Sequence, residues 1–213
     1  MFESFYQTLE ELLIVPVVVL DDEADAAPLA DALMAAGMRS AEVTFRTAAA
    51  AGSIRAMRAA HPDMHAGAGT VLTVEQVDEA LAAGAEFIVA PGFDAEVVSH
   101  CIERGVPVLP GTVTPTEVGS ARKLGLTVTK FFPAAQYGGL GTIAALCAPF
   151  VGHRFMPTGG VSKENLGSYL GSPDIIAVGG TWMVKPALFA GGDFSRVCEL
   201  AAEAMAAARA ARG

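Results

Sequence analysis

Apolar positions in this chain come in short unbroken runs, separated by stretches with helical periodicity. The runs at residues 13–20 (LIVPVVVL), 86–92 (EFIVAPG), 106–111 (VPVLPG) and 174–182 (DIIAVGGTW) are continuous or nearly so, as expected of strands buried on both faces. SAEVTFRT at 40–47 alternates instead, and MHAGAGT at 64–70 is a strand of small residues. LTVTKFFPAA at 126–135 and RFMPTGG at 154–160 complete a set of eight strands. Between them lie helical segments with recognisable ends. Pro28 lies near the start of the first and Gly37 stops it; a second covers residues 48–60. Thr73 with Gln76, and Thr114 with Pro115 and Glu117, have capping-box spacing, and Ser162 is read as the cap of a short helix. A last helix from about Asp193 places Arg209 and Arg212 at its C-terminal dipole, and its alanine-rich tail is expected to fray. Ahead of everything, residues 1–13 form an amphipathic helix with Phe2, Phe5, Leu9 and Leu12 or Leu13 on one side.

Strand starts recur roughly 20 to 27 residues apart, a spacing that suits parallel βα units. No GxGxxG follows the first strand, which disfavours a Rossmann sheet. The expected fold is α/β: a TIM (β/α)8 barrel with an extra N-terminal helix, a single domain over residues 1–213, with its site at the C-terminal strand ends.

Charge and composition then narrow the partners. The net charge of −9 argues against nucleic acid or an anionic membrane, while leaving room for a small anionic ligand held by local cations and amides. No apolar run approaches the roughly 18 residues that cross a bilayer, and the N-terminus carries no basic cluster of a signal peptide. Cys101, Cys147 and Cys198 lack disulfide or zinc spacing and read as buried free thiols of a cytoplasmic protein. His61, His65, His100 and His153 form no HxH or HExxH pattern, read as surface or loop residues, and give no metal site. Neither a Ser-His-Asp set nor a GxSxG elbow is present. Met34, Met38, Met57, Met156 and Met183 read as core fillers.

The candidate chemistry centres on Lys130. It sits inside a β-branched and aromatic run, where an ammonium group loses hydration. One remedy is to snorkel or pair with a carboxylate; another is to carry the lysine partly as a neutral amine, a nucleophile for carbonyls. Alternation in SAEVTFRT puts Ala41, Val43 and Phe45 toward the helices and Glu42, Thr44 and Arg46 inward, where branched apolar residues belong. That set is either a self-satisfied ion pair or functional. The second and sixth strands face each other in an eight-stranded barrel, so Glu42 and Lys130 converge, as imine chemistry on a keto acid requires. Arg46 offers a fork for a carboxylate, and Thr70 a hydroxyl. Thr158, Gly159 and Gly160 after the seventh strand, with Gly180 and Thr181 after the eighth, are either tight turns or a phosphate cradle. Trp182 either lines the mouth or packs.

EVTFRT, GAGTVLT, FIVAPGF, VLPGTVTPTEV, KFFPA, FMPTGGV and AVGGTWM, in this order over residues 15–194, resemble the 2-keto-3-deoxy-6-phosphogluconate (KDPG) aldolase family, also described as 4-hydroxy-2-oxoglutarate aldolases. The resemblance implies a cofactor-free, metal-free class I lyase on a TIM barrel, usually a homotrimer, which cleaves its substrate to pyruvate and glyceraldehyde 3-phosphate in the Entner–Doudoroff route. It implies that Lys130 is the Schiff-base lysine and Glu42 the acid/base. Arg46 and Thr70 then take the pyruvyl end, Pro91 and Phe132 shape the pocket, and Gly159, Gly160 and Thr181 hold phosphate. Two positions depart from the pattern: Thr181 stands where serine is common, keeping the hydroxyl and adding a methyl, and Phe45 where leucine is common. Competing readings are the galactonate-derived aldolase, a sugar-phosphate isomerase or epimerase on the same barrel, and a non-enzymatic sugar-phosphate-binding protein.

Overall fold

A computed structural model describes residues 1–213, an α/β fold with eight parallel strands and nine α-helices. The strands are β1 (Ile14–Val18), β2 (Ser40–Thr44), β3 (His65–Gly69), β4 (Ile88–Val89), β5 (Val108–Leu109), β6 (Val128–Phe131), β7 (Arg154–Pro157) and β8 (Val178–Gly180). Each run expected to be a strand contains one. Six pair in a curled parallel sheet of order β5-β4-β3-β2-β1-β8, and β6 pairs with β7 in a second sheet. The continuous eight-stranded ladder expected from the sequence is interrupted in two places. Between β5 and β6 there is a single bridge, Gly111 with Lys130. Between β7 and β8 the links are the bridges of Thr158 with Gly179 and Phe155 with Ile175. Short strands explain the gaps: β5 has two residues and is followed by Pro110, which has no N–H to offer a ladder.

The strand faces divide the core. Ala41, Val43, Ala66, Ala68, Ile88, Val108, Phe131, Phe155 and Val178 belong to a large cluster shared with the helices, and Phe45 packs against it as expected. Val15, Phe87, Val89, Leu109, Val128 and Met156 form a separate inner cluster. The inner cluster is closed at the N-terminal ends of the strands by α1 (Glu3–Leu12), which contributes Tyr6, Leu9 and Leu12. Tyr6 was not among the apolar positions read from the sequence; Phe2 and Phe5 only flank this cluster, partly buried.

Helix ends largely follow the local chemistry. Gly37, with φ of 76°, terminates α2 (Ala26–Ala35) in the left-handed conformation open to glycine. Thr114 and Glu117 form a full capping box on α6 (Pro115–Lys123). At α4 (Val74–Ala82) only half the box forms: Thr73 accepts from the Gln76 amide, but Gln76 turns its Oε1 to the Leu72 amide instead. Ser162 caps nothing. Its amide donates to Asn165 Oδ1, and α8 (Leu166–Leu170) begins after Asn165. The alanine-rich tail is ordered rather than frayed. In α9 (Ser195–Arg212), Ala201, Ala204, Met205 and Ala208 are buried, because small side chains at helical spacing let neighbouring elements approach. Arg212 ends that helix by donating to the Ile175 and Ile176 carbonyls leading into β8.

Candidate active site

β2 and β6 each aim one ionisable side chain inward. Glu42 pairs in register with Val17 of β1 and Gly67 of β3, and Lys130 with Met156 of β7. Their side chains meet: Lys130 Nζ lies 3.1 Å from Glu42 Oε1, with the lysine side chain 6% and the glutamate 0% exposed. The second carboxylate oxygen, Oε2, is buried and has no protein partner. A buried pair in this geometry holds charge only because each partner compensates the other. It leaves one carboxylate oxygen beside the amine and the other free to accept a proton from something else.

Glycines make room for this arrangement. A β-carbon at Gly69 would lie 2.3 Å from Glu42 Oε1, so the small-residue strand β3 is what admits the carboxylate. At Gly111, the bridge partner of Lys130, a β-carbon would meet the Pro91 carbonyl at 2.0 Å, so the backbone around Pro91 packs directly beside the lysine strand. Neither glycine was singled out in the sequence; the available signal was glycine at the C-terminal end of three strands, in GAGT, LPGT and VGGT.

Phe132 follows β6, and its ring centroid is 5.2 Å from Lys130 Nζ, a cation–π distance. Arg46 lies exposed just beyond β2 and donates from Nε to Thr70 Oγ1 at 3.3 Å. Thr70 has φ of 57°, a conformation that β-branched residues avoid, at the turn leaving β3. Thr44, expected on the inward face, is buried and donates its hydroxyl to the Val18 carbonyl, so it is spent on structure.

After β7, Gly159 and Gly160 have φ of 91° and 82°. Neither amide donates a hydrogen bond within the chain. The loop following β6 lies against this turn, with the Ala135 amide on the Gly159 carbonyl at 3.0 Å, and a β-carbon at Gly160 would meet Ala135 Cβ at 2.3 Å. Thr158 separates from this exposed rim. Its hydroxyl is buried without a partner, and a β-carbon at Gly179 would sit 2.2 Å from it, so it faces inward across the β7–β8 link. Gly180 is buried under the Trp182 ring, which a β-carbon there would strike at 2.0 Å, whereas Thr181 is exposed. Trp182 therefore packs over Gly180.

One histidine departs from the surface reading. His153 is 1% exposed and lies 2.9 Å through Nε2 from Thr129 Oγ1; desolvation, with the Arg122 charge nearby, depresses its pKa from 6.5 to about 4. The other three make surface pairs, with Asp31, Glu86 and Asp78.

The profile of the KDPG and KHG aldolases matches residues 6–200. The chain belongs to the KDPG and KHG aldolase family. It is 46% identical over 202 residues to the 2-dehydro-3-deoxy-phosphogluconate aldolase of Treponema pallidum, covering 95% of this chain and 96% of that one. Among solved structures it is similar to the 2-keto-3-deoxy-6-phosphogluconate aldolase of Zymomonas mobilis ZM4 with 3-phosphoglycerate, with TM-score 0.87, 38% identity, and coverage of 96% and 95% of the two chains. It is also similar to the KDPG aldolase of Legionella pneumophila with pyruvate captured as a covalent carbinolamine intermediate, with TM-score 0.89, 34% identity, and coverage of 92% and 96%. A carbinolamine requires an amine nucleophile. In this member of the family, Lys130 is the lysine buried on the inner face of the strands.

Proposed function

We propose that this chain is a class I aldolase that cleaves 2-dehydro-3-deoxy-6-phosphogluconate to pyruvate and glyceraldehyde 3-phosphate, with 4-hydroxy-2-oxoglutarate as a second substrate. The observation that carries the reading is the 3.1 Å contact between a buried amine and a buried carboxylate whose other oxygen is unpartnered. Glu42 Oε1 takes a proton from Lys130, and the amine adds to the C2 ketone to give a carbinolamine. Glu42 passes that proton to the carbinolamine hydroxyl, which leaves as water; this restores the carboxylate and gives an iminium that accepts electrons. Glu42, directly or through a water, removes the C4 hydroxyl proton; the C3–C4 bond breaks, its electrons form the enamine, and the aldehyde leaves. Glu42 returns a proton to C3, and hydrolysis frees pyruvate and Lys130.

Arg46 and Thr70 bind the substrate carboxylate, and Pro91 and Phe132 shape the pocket around the imine. The free amides of Gly159 and Gly160, with Gly180 and Thr181, receive the phosphate. Thr158, buried and unpartnered, fits the pocket interior better than the phosphate rim. In the same reading the two sheets form one eight-stranded barrel, a single domain over residues 1–213, which the bridges at both seams support. A homotrimer in the cytoplasm belongs to this reading through the family resemblance; the three free thiols fit that compartment.

Borohydride reduction in the presence of pyruvate should add one pyruvyl unit at Lys130. Labelling at another residue, or none in active enzyme, overturns the assignment. A lactate-dehydrogenase-coupled assay on the gluconate- and galactonate-derived epimers, with and without chelator, then identifies the substrate; preference for the galactonate epimer would replace the proposed one.

A further inference from the structure

Directly behind Lys130, on the helix side of β6, three buried polar side chains are joined in a chain that the chemistry above does not use. Thr112 Oγ1 and Thr129 Oγ1 are 2.7 Å apart, and Thr129 Oγ1 is 2.9 Å from His153 Nε2. None of the three residues is more than 1% exposed. Thr129 immediately precedes Lys130, so its side chain takes the opposite face of the strand. Thr112 holds the other side of the β5–β6 seam. Its amide donates to the Lys130 carbonyl at 2.9 Å, and the Lys130 amide donates to the Pro110 carbonyl at 3.0 Å. Lys130 is therefore stitched across the seam through both its amide and its carbonyl, and the Thr112–Thr129 bond reinforces that stitch from behind.

His153 anchors the far end. It directly precedes β7, its amide donates to the Phe150 carbonyl at 2.9 Å, and its ring lies edge-on to Phe155 with centroids 4.8 Å apart. The chain of side chains thus ties the approach to β7, through β6, to the end of β5. β7 holds β6 by a regular ladder on one side, with Lys130 opposite Met156; on the β5 side, where the ladder has a single bridge, this chain of side chains supplies the second link beside Lys130.

We propose that Thr112, Thr129 and His153 are positioning residues that set the placement of the Lys130 amine against Glu42. The inference rests on the reading of Lys130 as the Schiff-base lysine. Buried hydroxyls that served packing alone could be exchanged for isosteric apolar groups without consequence for turnover. A displaced nucleophile could not be so tolerated, because a misplacement of about 1 Å costs on the order of 100-fold in rate.

The test uses the full-length protein and the variants Thr129→Val, Thr129→Ser and Thr112→Val. Three quantities are read: kcat and KM for pyruvate release, the rate of pyruvate-dependent borohydride labelling, and the pH profile of Lys130 acylation by an amine-selective reagent, followed by mass spectrometry. Thr129→Val should lower kcat by roughly 10-fold or more, leave KM within about a factor of two, slow labelling and move the acylation profile. Thr129→Ser should restore all three. Folded Val variants with the parent's kcat and acylation profile would overturn the proposal, as would a serine variant no better than valine. Should Thr129→Val fail to fold, Thr112→Val carries the same readouts. If pyruvate labels the parent protein elsewhere than Lys130, the assignment of Lys130 as the Schiff-base lysine fails by itself, and the acylation profiles still decide whether the three residues position the amine.

Discussion

Gly69 lies against Glu42 across the β2–β3 ladder, so closely that a β-carbon on it would fall 2.3 Å from Oε1 and 2.6 Å from Cγ of the glutamate. Glu42 is fully buried and tied to Lys130, so Gly69→Ala must push the carboxylate off its partner. Turnover should fall by on the order of 100-fold in a coupled pyruvate assay, with the far-UV spectrum unchanged. Gly67→Ala is the control: its β-carbon would meet the Phe87 ring at 2.4 Å. That overpacks the inner core and should cost about 1–3 kcal/mol in urea unfolding. Near-normal turnover in Gly69→Ala would show that the carboxylate is not needed where it stands.

The Lys130–Glu42 pair also predicts non-additive stability. Lys130→Met leaves a buried carboxylate unpaired and should cost about 3–5 kcal/mol at neutral pH, besides abolishing pyruvate labelling. Lys130→Met with Glu42→Gln removes both charges and should recover at least half of that loss. Urea unfolding of the single and double variants measures the coupling; purely additive costs would mean that the two groups stand near each other without interacting.

Thr70 separates strain from binding. Its left-handed backbone costs a β-branched residue roughly 1–2 kcal/mol, while its hydroxyl accepts from Arg46. Thr70→Gly should keep or raise the melting temperature and yet raise KM for the keto acid by roughly 10-fold, the worth of one hydrogen bond to a charged group. Thr70→Ala should show the same KM without the gain in stability. An unchanged KM in both would remove Thr70 from the carboxylate site.

His153 predicts a pH dependence of stability with a definite sign. Burial holds it neutral in the fold, with its pKa lowered from 6.5 to about 4, so the unfolded chain binds the extra proton first. Stability is unaffected above pH 6.5 and falls as pH drops from there toward 4, by up to ~3 kcal/mol. Denaturant unfolding across that window should show a steeper loss in the parent protein than in His153→Gln. Parallel slopes would mean that the imidazole is charged in the fold.

The elements that were readable from residue order are those governed by local geometry. A period of two put Glu42 inward regardless of what surrounds it, whereas the apolar run around Lys130 left both snorkelling and burial open, and the structure buries it against Glu42. The Thr112–Thr129–His153 chain was not readable, because threonine is an ordinary strand residue and the three lie 17 and 24 residues apart. The same holds for Gly69 and Gly111, whose necessity comes from Glu42 on β2 and from Pro91 in the turn after β4. Local signals also misled where tertiary packing decided: the tail of α9 looked loose by composition and is buried through its small side chains, and Ser162 looked like a cap and serves a turn with Asn165 instead.

The plug formed by Tyr6, Leu9 and Leu12 of α1 closes the inner core at the N-terminal ends of the strands, which leaves the C-terminal ends as the side from which a ligand approaches Lys130 in the proposed barrel. Traffic from one side is ordered. On the proposed reading of Lys130 as the Schiff-base lysine, the aldehyde fragment departs before the pyruvyl fragment still bonded to the lysine can follow. Run toward synthesis, the same architecture admits the keto acid first and the aldehyde second.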